Sequence, residues 1–256
     1  MAERIYIASD MHFGAPTLQK SLPRERHFVK WLDSIKSDAR ELYLLGDVFD
    51  FWFEYKHSVP KGHVRLLGKL AELADLGVDI HIFTGNHDLW LKDYFPTEMG
   101  ISVHRNPIIR EWFGRSYYLA HGDGLGPGDH GYKAMKKVFT NPFSKWLFGW
   151  LHPNMGVGLA RFLSGLSNKH DFDHPELSPE VDLMGRKEWL YVHSETILQS
   201  QPEISYFVYG HRHALIDDSL NHDARIVILG DWITYFSYLV IDQEKTELDV
   251  FPFIKH

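Results

Sequence analysis

Residues 83–90 read FTGNHDLW. An apolar run ends here, the chain turns at Gly85, and Asn86, His87 and Asp88 come in a row. Taken alone the stretch reads as a turn, since Gly and Asn tolerate positive φ and Asp caps the next element. The same arrangement recurs, however. RIYIA (4–8) runs into Ser9-Asp10-Met11-His12, ELYLL (41–45) into Gly46-Asp47, and YYLA (117–120) into His121-Gly122-Asp123. YFVY (206–209) runs into Gly210-His211-Arg212-His213, and RIVIL (225–229) into Gly230-Asp231. Near-continuous apolar runs suit strands covered on both faces. Each polar cluster therefore sits where a buried strand stops.

Helical stripes separate the first three runs. Phe28, Trp31, Leu32 and Ile35 form one; Val64, Leu67, Leu70, Leu73 and Ala74 form another that ends near Gly77. Strand–helix–strand–helix–strand predicts an α/β layered fold, in which sites gather beyond the carboxyl ends of the strands. In the last third, 214–220, 225–229, 235–242 and 246–251 read as strands with short connections. They predict antiparallel pairing and a second sheet packed on the first. Residues 125–190, broken by Pro142 and Pro153 and resuming a helical pattern at 179–200, read as an inserted helical cap. The core then comprises 1–124 and 191–256.

Composition narrows the chemistry. The 256 residues are 44% hydrophobic and 24% charged, ordinary for a soluble globular chain. With no cysteine, disulfides and thiolate sites are excluded, and a metal must be held by His, Asp, Glu, Asn and water, which favours Mn, Fe, Zn or Mg. MAERIYIASD lacks the apolar core of a signal peptide, and no stretch is long enough to span a membrane. A net charge of −7 gives no general attraction to nucleic acid.

The strand-end donors Asp10, His12, Asp47, Asn86, His87, His121, His211 and His213 are all oxygen or nitrogen ligands. In extended backbone, Asp-x-His and His-x-His pairs aim both side chains to one side. Two metal ions about 3.5–4 Å apart can clamp a phosphoryl group and activate a water, which needs such a set with one shared carboxylate. Asp123 and Asp231 are candidate partners for metal-bound histidines, while Asp50 and Trp52 read as supporting or core residues.

In order, the blocks Asp10-Met11-His12, Gly46-Asp47, Gly85-Asn86-His87-Asp88, His121-Gly122 and Gly210-His211-Arg212-His213 resemble the calcineurin-like metallophosphoesterases. The resemblance implies an αββα sandwich of two sheets and two divalent metal ions. It implies that Asp47 bridges them, that Asp10, His12 and His213 complete one site, and that Asn86, His121 and His211 complete the other. His87 would face the leaving group as acid or charge stabiliser, with Asp88 orienting its ring.

GDVFDFWF (46–53), HGDGLGPGDHGYKAM (121–135), LGDW (229–232) and FPF (251–253) are similar to one branch, the UDP-2,3-diacylglucosamine diphosphatases of lipid A synthesis in Gram-negative bacteria. That similarity implies cleavage of a nucleotide-linked acylated sugar to UMP and an acyl-sugar phosphate by a metal-activated water, manganese as the usual metal, and peripheral attachment to the cytoplasmic face of the inner membrane. Asp129 and Tyr132 match an element of the branch, and Ser164, Asn168 and Lys169 lie where its cap meets substrate. Asn86 and His87 complete the implied substrate-binding set. Phe139, Phe143, Trp146, Leu147, Phe148, Trp150 and Leu151, interleaved with Lys133, Lys136, Lys137 and Lys145, suit an acyl chain and an anionic surface, or else pack the cap onto the core.

One position departs: the best-known members carry Arg where this chain has His87, so a related phosphoesterase with another nucleotide or lipid substrate stays open. An inactive scaffold of the same fold is the rival of a different class, and the filled ligand positions count against it. HDFDH (170–174) reads as a solvated loop before Pro175 rather than a third metal site.

Overall fold

The computed structural model describes residues 3–127, 130–152, 155, 156, 158 and 185–253. Strand β1 (Arg4–Ala8) leads to helix α1 (Leu18–Ile35), β2 (Ala39–Leu44), α2 (Val64–Asp75) and β3 (Asp79–Phe83). β1 pairs in parallel with β2, and β2 with β3, as the alternation requires. Thr17 starts α1 by accepting a hydrogen bond from the Lys20 N–H.

After α3 (Tyr94–Met99) come β4 (Ser102–His104), β5 (Ile108–Trp112) and β6 (Arg115–Ala120), then α4 (His130–Thr140) and α5 (Pro142–Gly149). A 3₁₀ turn (Gly185–Lys187) precedes α6 (Trp189–Leu198), β7 (Ile204–Tyr209), β8 (Leu215–Ser219), β9 (Arg225–Leu229), β10 (Ser237–Ile241) and β11 (Thr246–Val250). Six strands form one sheet in the order β11-β10-β1-β2-β3-β4, and five form the other in the order β5-β6-β7-β9-β8.

The alternation of each strand divides its side chains between two layers. Ile5, Ile7, Tyr43 and Leu45 face inward to meet Tyr117, Leu119, Val208 and Leu229 of the other sheet. On the opposite face of the first sheet, Tyr6, Leu42, Leu44 and Ile82 pack on Phe28, Trp31, Leu66 and Leu70 of α1 and α2. The outer face of the second sheet, Tyr118, Phe207, Tyr209 and Ile228, packs on Leu190 and Tyr191 of α6. The fold is the expected αββα sandwich, and its strands needed continuous apolar runs because both faces are covered.

Some details differ from the sequence reading. The buried stripe of α2 is Leu66, Leu70 and Leu73; Val64 is 74% exposed, because the helix is turned so that its first residue points to solvent. The short strands β4 and β5 were not legible as strands. The last four strands do not make a sheet of their own: β8 and β9 join the second sheet, whereas β10 returns to pair antiparallel with β1 and carries β11 with it.

Candidate metal centre

The carboxyl ends of β1, β2, β3, β6, β7 and β9 lie along one rim, and the turns that leave them are tied together by main-chain hydrogen bonds. The Asp10 N–H donates to Gly46 O (3.2 Å), the His12 N–H to Asp47 O (2.9 Å), the Gly210 N–H to His121 O (2.9 Å) and the Trp232 N–H to Asp10 O (3.1 Å). Asp10, His12, Asp47, His211 and His213 all have positive φ, between 45° and 67°. Such backbone is uncommon outside glycine and is held only where surroundings enforce it. The paired donors therefore converge through left-handed turns, not through extended alternation as expected. Glycines let the turns nest: a Cβ on Gly85 would run into the Asp47 carboxylate, and one on Gly210 into Ser9 and Asp10.

The eight donors predicted from the sequence come together as two adjoining groups. In the first, His12 Nε2 lies 3.2 Å from His213 Nε2. Asp10 Oδ1 is 3.8 Å from the former and 3.5 Å from the latter. In the second, Asn86 Oδ1 is 3.1 Å from His121 Nε2 and 2.9 Å from His211 Nδ1. Asp47 Oδ2 stands between the groups, 3.5 Å from His12 Nε2 and 3.4 Å from His121 Nε2. His87 also comes within ligand range of His12 and Asp47.

These residues fit divalent metal ions. Asp10 Oδ1 is buried without a hydrogen-bond partner among the described residues, a costly state that a cation relieves. The ring nitrogens are oriented from behind: His121 Nδ1 is 2.6 Å from Leu45 O, and His213 Nδ1 is 3.0 Å from Asp231 Oδ2, so their Nε2 atoms are left to face the centre. The charges agree. Burial alone would raise the Asp47 carboxyl, but His121 and His87 outweigh it and hold it well below the usual carboxylate range. Burial lowers His12 and takes His211 down to about 4, so both are neutral, as ligands must be. Burial would also lower His121, yet Asp47 raises it to about 10; without metal, this ring keeps a proton.

His87 lies beside the two groups, its ring 4.6 Å from that of His12. Its main-chain N–H donates to Asp47 Oδ1 (2.9 Å), and its Nδ1 faces Asp50 O at 3.2 Å and Asp50 Oδ1 at 3.5 Å. Burial disfavours its charge, but Asp47 and Asp50 together raise it to about 9. Asp88 does not orient this ring. Its carboxylate accepts from the N–H groups of Gly85 (2.7 Å), Val48 (2.9 Å) and Phe49 (3.4 Å), tying the β2 turn to the β3 turn. Asp50, read as a supporting residue, is the one that holds the imidazole.

Several supporting contacts had no signal in the sequence. Nη2 of Arg24, from α1, donates to His12 O (3.0 Å) and Ala15 O (3.1 Å), clamping the turn that carries Asp10 and His12. Asp123, expected beside a histidine, lies near enough to His121 and His211 for their charges to act on its carboxylate, and it also pairs with Lys136 of α4 at 2.5 Å. Arg212, Glu188 and Trp189 gather behind His211. Of the histidines outside the donor set, His63 is buried 3.8 Å from Glu25, and His104 bonds His81 at 2.9 Å; neither joins the centre. Asp129, Ser164, Asn168, Lys169 and the 170–174 stretch lie outside the described residues, as does the side chain of Tyr132.

α4 and α5 divide their aromatics. Phe148 packs on Phe53 and Trp90, with centroids 4.7 and 4.5 Å apart, and the Trp90 indole N–H donates to Phe139 O. Phe143, Trp146, Leu147 and Trp150 remain more than half exposed, at 67%, 57%, 56% and 75%. No helix among the described residues is long and apolar enough to cross a membrane.

Comparison with known proteins agrees with this geometry. Residues 3–215 match the family of calcineurin-like phosphoesterases. A Porphyromonas gingivalis protein named UDP-2,3-diacylglucosamine hydrolase is 39% identical over 251 residues, which cover 94% of this chain and 95% of that protein. Proteins of the same name from Pseudomonas putida and Shewanella putrefaciens are 29% and 25% identical, covering 97% and 98% of this chain and 99% and 98% of their own.

Proposed function

The chain belongs to the calcineurin-like phosphoesterases, metal-dependent hydrolases, and from that premise we propose that it hydrolyses the pyrophosphate bond of UDP-2,3-diacylglucosamine to UMP and 2,3-diacylglucosamine 1-phosphate. The observation that carries the reading is the pairing of a complete donor set on one rim with a relative so named at 39% identity over nearly the whole of both chains. Two divalent ions, manganese by resemblance, would be held by Asp10, His12 and His213 on one side and Asn86, His121 and His211 on the other, with Asp47 shared. Bound there, they supply Lewis acidity to the phosphoryl oxygens and activate the attacking water.

The protein's own groups do the rest. His87, held by Asp50 and beside both donor groups, is placed to carry a proton or positive charge toward the leaving oxygen. Asp88 holds the turn that presents Asn86 and His87. Residues 125–190 form the helical cap of this reading, with Asp129, Tyr132, Ser164, Asn168 and Lys169 as further substrate contacts. The exposed Phe143, Trp146, Leu147 and Trp150 suit the acyl chains and the cytoplasmic face of the inner membrane. Phe148 is spent on packing against the core, so Trp146→Ser with Trp150→Ser is the variant expected to reduce sedimentation with anionic liposomes.

A product assay tests the reading. Protein with manganese and detergent is given UDP-2,3-diacylglucosamine beside a generic phosphodiester, and UMP is followed by mass spectrometry with Asp47→Ala as control. UMP from the wild type alone supports it. Turnover of the generic ester without UMP removes the substrate and keeps the phosphoesterase. That second reading, a related phosphoesterase with another nucleotide or lipid substrate, is favoured by one observation, His87 where the best-known members carry Arg, because an imidazole grips phosphate less firmly than a guanidinium.

A further inference from the structure

The two donor groups are supported from different parts of the chain. Behind the first stand Arg24 of α1, which clamps the His12 carbonyl, and Asp231 after β9, which holds His213. Both belong to the sandwich. Behind the second stand residues of α4 and of the first turn of α6. Lys136 of α4 pairs with Asp123, two residues after His121, and the Lys133 ammonium donates to Gly126 O (2.6 Å). At the start of α6, the Trp189 ring lies near-parallel to the His211 ring, 22° apart with centroids separated by 6.3 Å.

Trp189 is itself held from two directions. The Arg212 guanidinium lies over its ring at 4.6 Å, and Arg212 Nε is 3.2 Å from the buried Glu188 carboxylate. Glu188 also caps α6, accepting from the Leu190 N–H at 2.7 Å. The loop after His121 fits closely beneath: a Cβ on Gly126 would come within 2.6 Å of Trp189 O. The buried indole Nε1 has no hydrogen-bond partner among the described residues, so stacking, not a hydrogen bond, sets the ring plane. Cation–aromatic stacking of this kind is directional and depends on the planar guanidinium.

We infer that Trp189, fixed by the Arg212–Glu188 pair, is a positioning residue for His211, and that it ties the second metal's affinity to the first turn of α6. The inference rests on the metal-centre reading above and goes beyond it in assigning unequal support to the two metals. A metal-bound imidazole keeps its ring orientation only if something behind it resists rotation. For His121 and His213 that is a hydrogen bond to Leu45 O or to Asp231; for His211 it is a stacked ring.

The test is a two-site manganese titration of metal-stripped full-length protein, read by the loss of free-ion electron paramagnetic resonance signal, with thermal unfolding run alongside. Wild type is expected to bind two equivalents. Trp189→Leu is expected to weaken one equivalent by roughly 10–100-fold, the range for losing a residue that orients a ligand, and to leave the other unchanged. Trp189→Phe, which keeps a flat ring, restores most of the loss, and Arg212→Lys, which keeps the charge but not the plane, falls between. Asp231→Asn identifies the sites by weakening the other equivalent. Two unchanged equivalents in Trp189→Leu would overturn the inference and leave the metal centre standing, as would equal weakening of both. Wild type that binds no metal would overturn the metal centre and the inference together. If Trp189→Leu unfolds, the Trp189→Phe and Arg212→Lys pair decides: identical affinities for both sites in both variants would sink the proposal.

Discussion

The two halves of the metal centre use the same donor types but are built in different ways. The half made by Asp10, His12 and His213 rests on the sandwich, through a buried carboxylate and an arginine clamp. The half made by Asn86, His121 and His211 leans on two other helices, on α4 through a lysine bridge and on α6 through a stacked tryptophan. The two halves thus lean on different helices, α1 for the first and α4 and α6 for the second.

The largest expected effect erases the distinction between the halves. Asp47 is shared, so Asp47→Ala should release both metals and abolish turnover together; metal analysis showing one tightly held equivalent would mean that the halves are independent. Next comes His87→Ala, which should lower kcat by roughly 10²–10⁴-fold, the usual weight of a positioned acid, while both equivalents stay bound. Loss of metal with that change would make His87 a ligand and redraw the first half. A smaller and one-sided effect is expected from Asp231→Asn: roughly 10–100-fold weaker binding of a single equivalent, seen by titration, with the other unaffected.

Protons sharpen the comparison further. His12 and His211 are neutral without metal, but His121 keeps its proton up to about pH 10. Metal binding at a pH of about 7.5 should therefore expel the His121 proton, and part of the His87 proton that the same Asp47 carboxylate holds, so release of at least roughly one proton is expected, measurable by calorimetry in buffers of different ionisation enthalpy. The linkage has a definite sign. Because the folded-state value of His121 is raised, its contribution to metal-free stability is whole below the ordinary histidine value of about 6.5 and is lost as pH rises through about 10. The unfolding temperature of the metal-free protein should lose this contribution over that range, and metal-loaded protein should not. Equal slopes for the two forms would contradict the assignment of the proton to His121.

Much of this site is legible in one dimension because strands are short and their ends are abrupt. Donors that belong to one site must leave the sheet at the same rim, so each stands directly after an apolar run, as His121 does after YYLA and Asp47 after ELYLL. Periodicity is a poorer guide to orientation. Apolar spacing starts the stripe of α2 at Val64; Leu70 and Leu73 are buried and Leu67 and Ala74 pack on the core as that spacing predicts, but Val64 faces solvent and Leu66 the core, because three- and four-residue steps fit two adjacent stripes of one leucine-rich helix. Adjacency alone gives Asp88 to the His87 ring, and the turn instead sends its carboxylate to three main-chain N–H groups.

What the sequence determined by itself was the layered α/β order, the donor set and the chemistry that set permits, since these depend on residue type and on neighbours a few positions away. Asp231, which follows an apolar run like the donors, was legible as a histidine partner; what tertiary structure alone decided was which other side chains stand behind the donors. Arg24 reaches His12 from the next element, Asp50 reaches His87 across 37 positions, and Trp189 meets His211 across a helix and a strand. Nothing in their local sequence marks those roles. They exist because two stacked sheets bring distant turns to one rim, and there a positive-φ turn aims each donor at a partner that the chain order keeps far away.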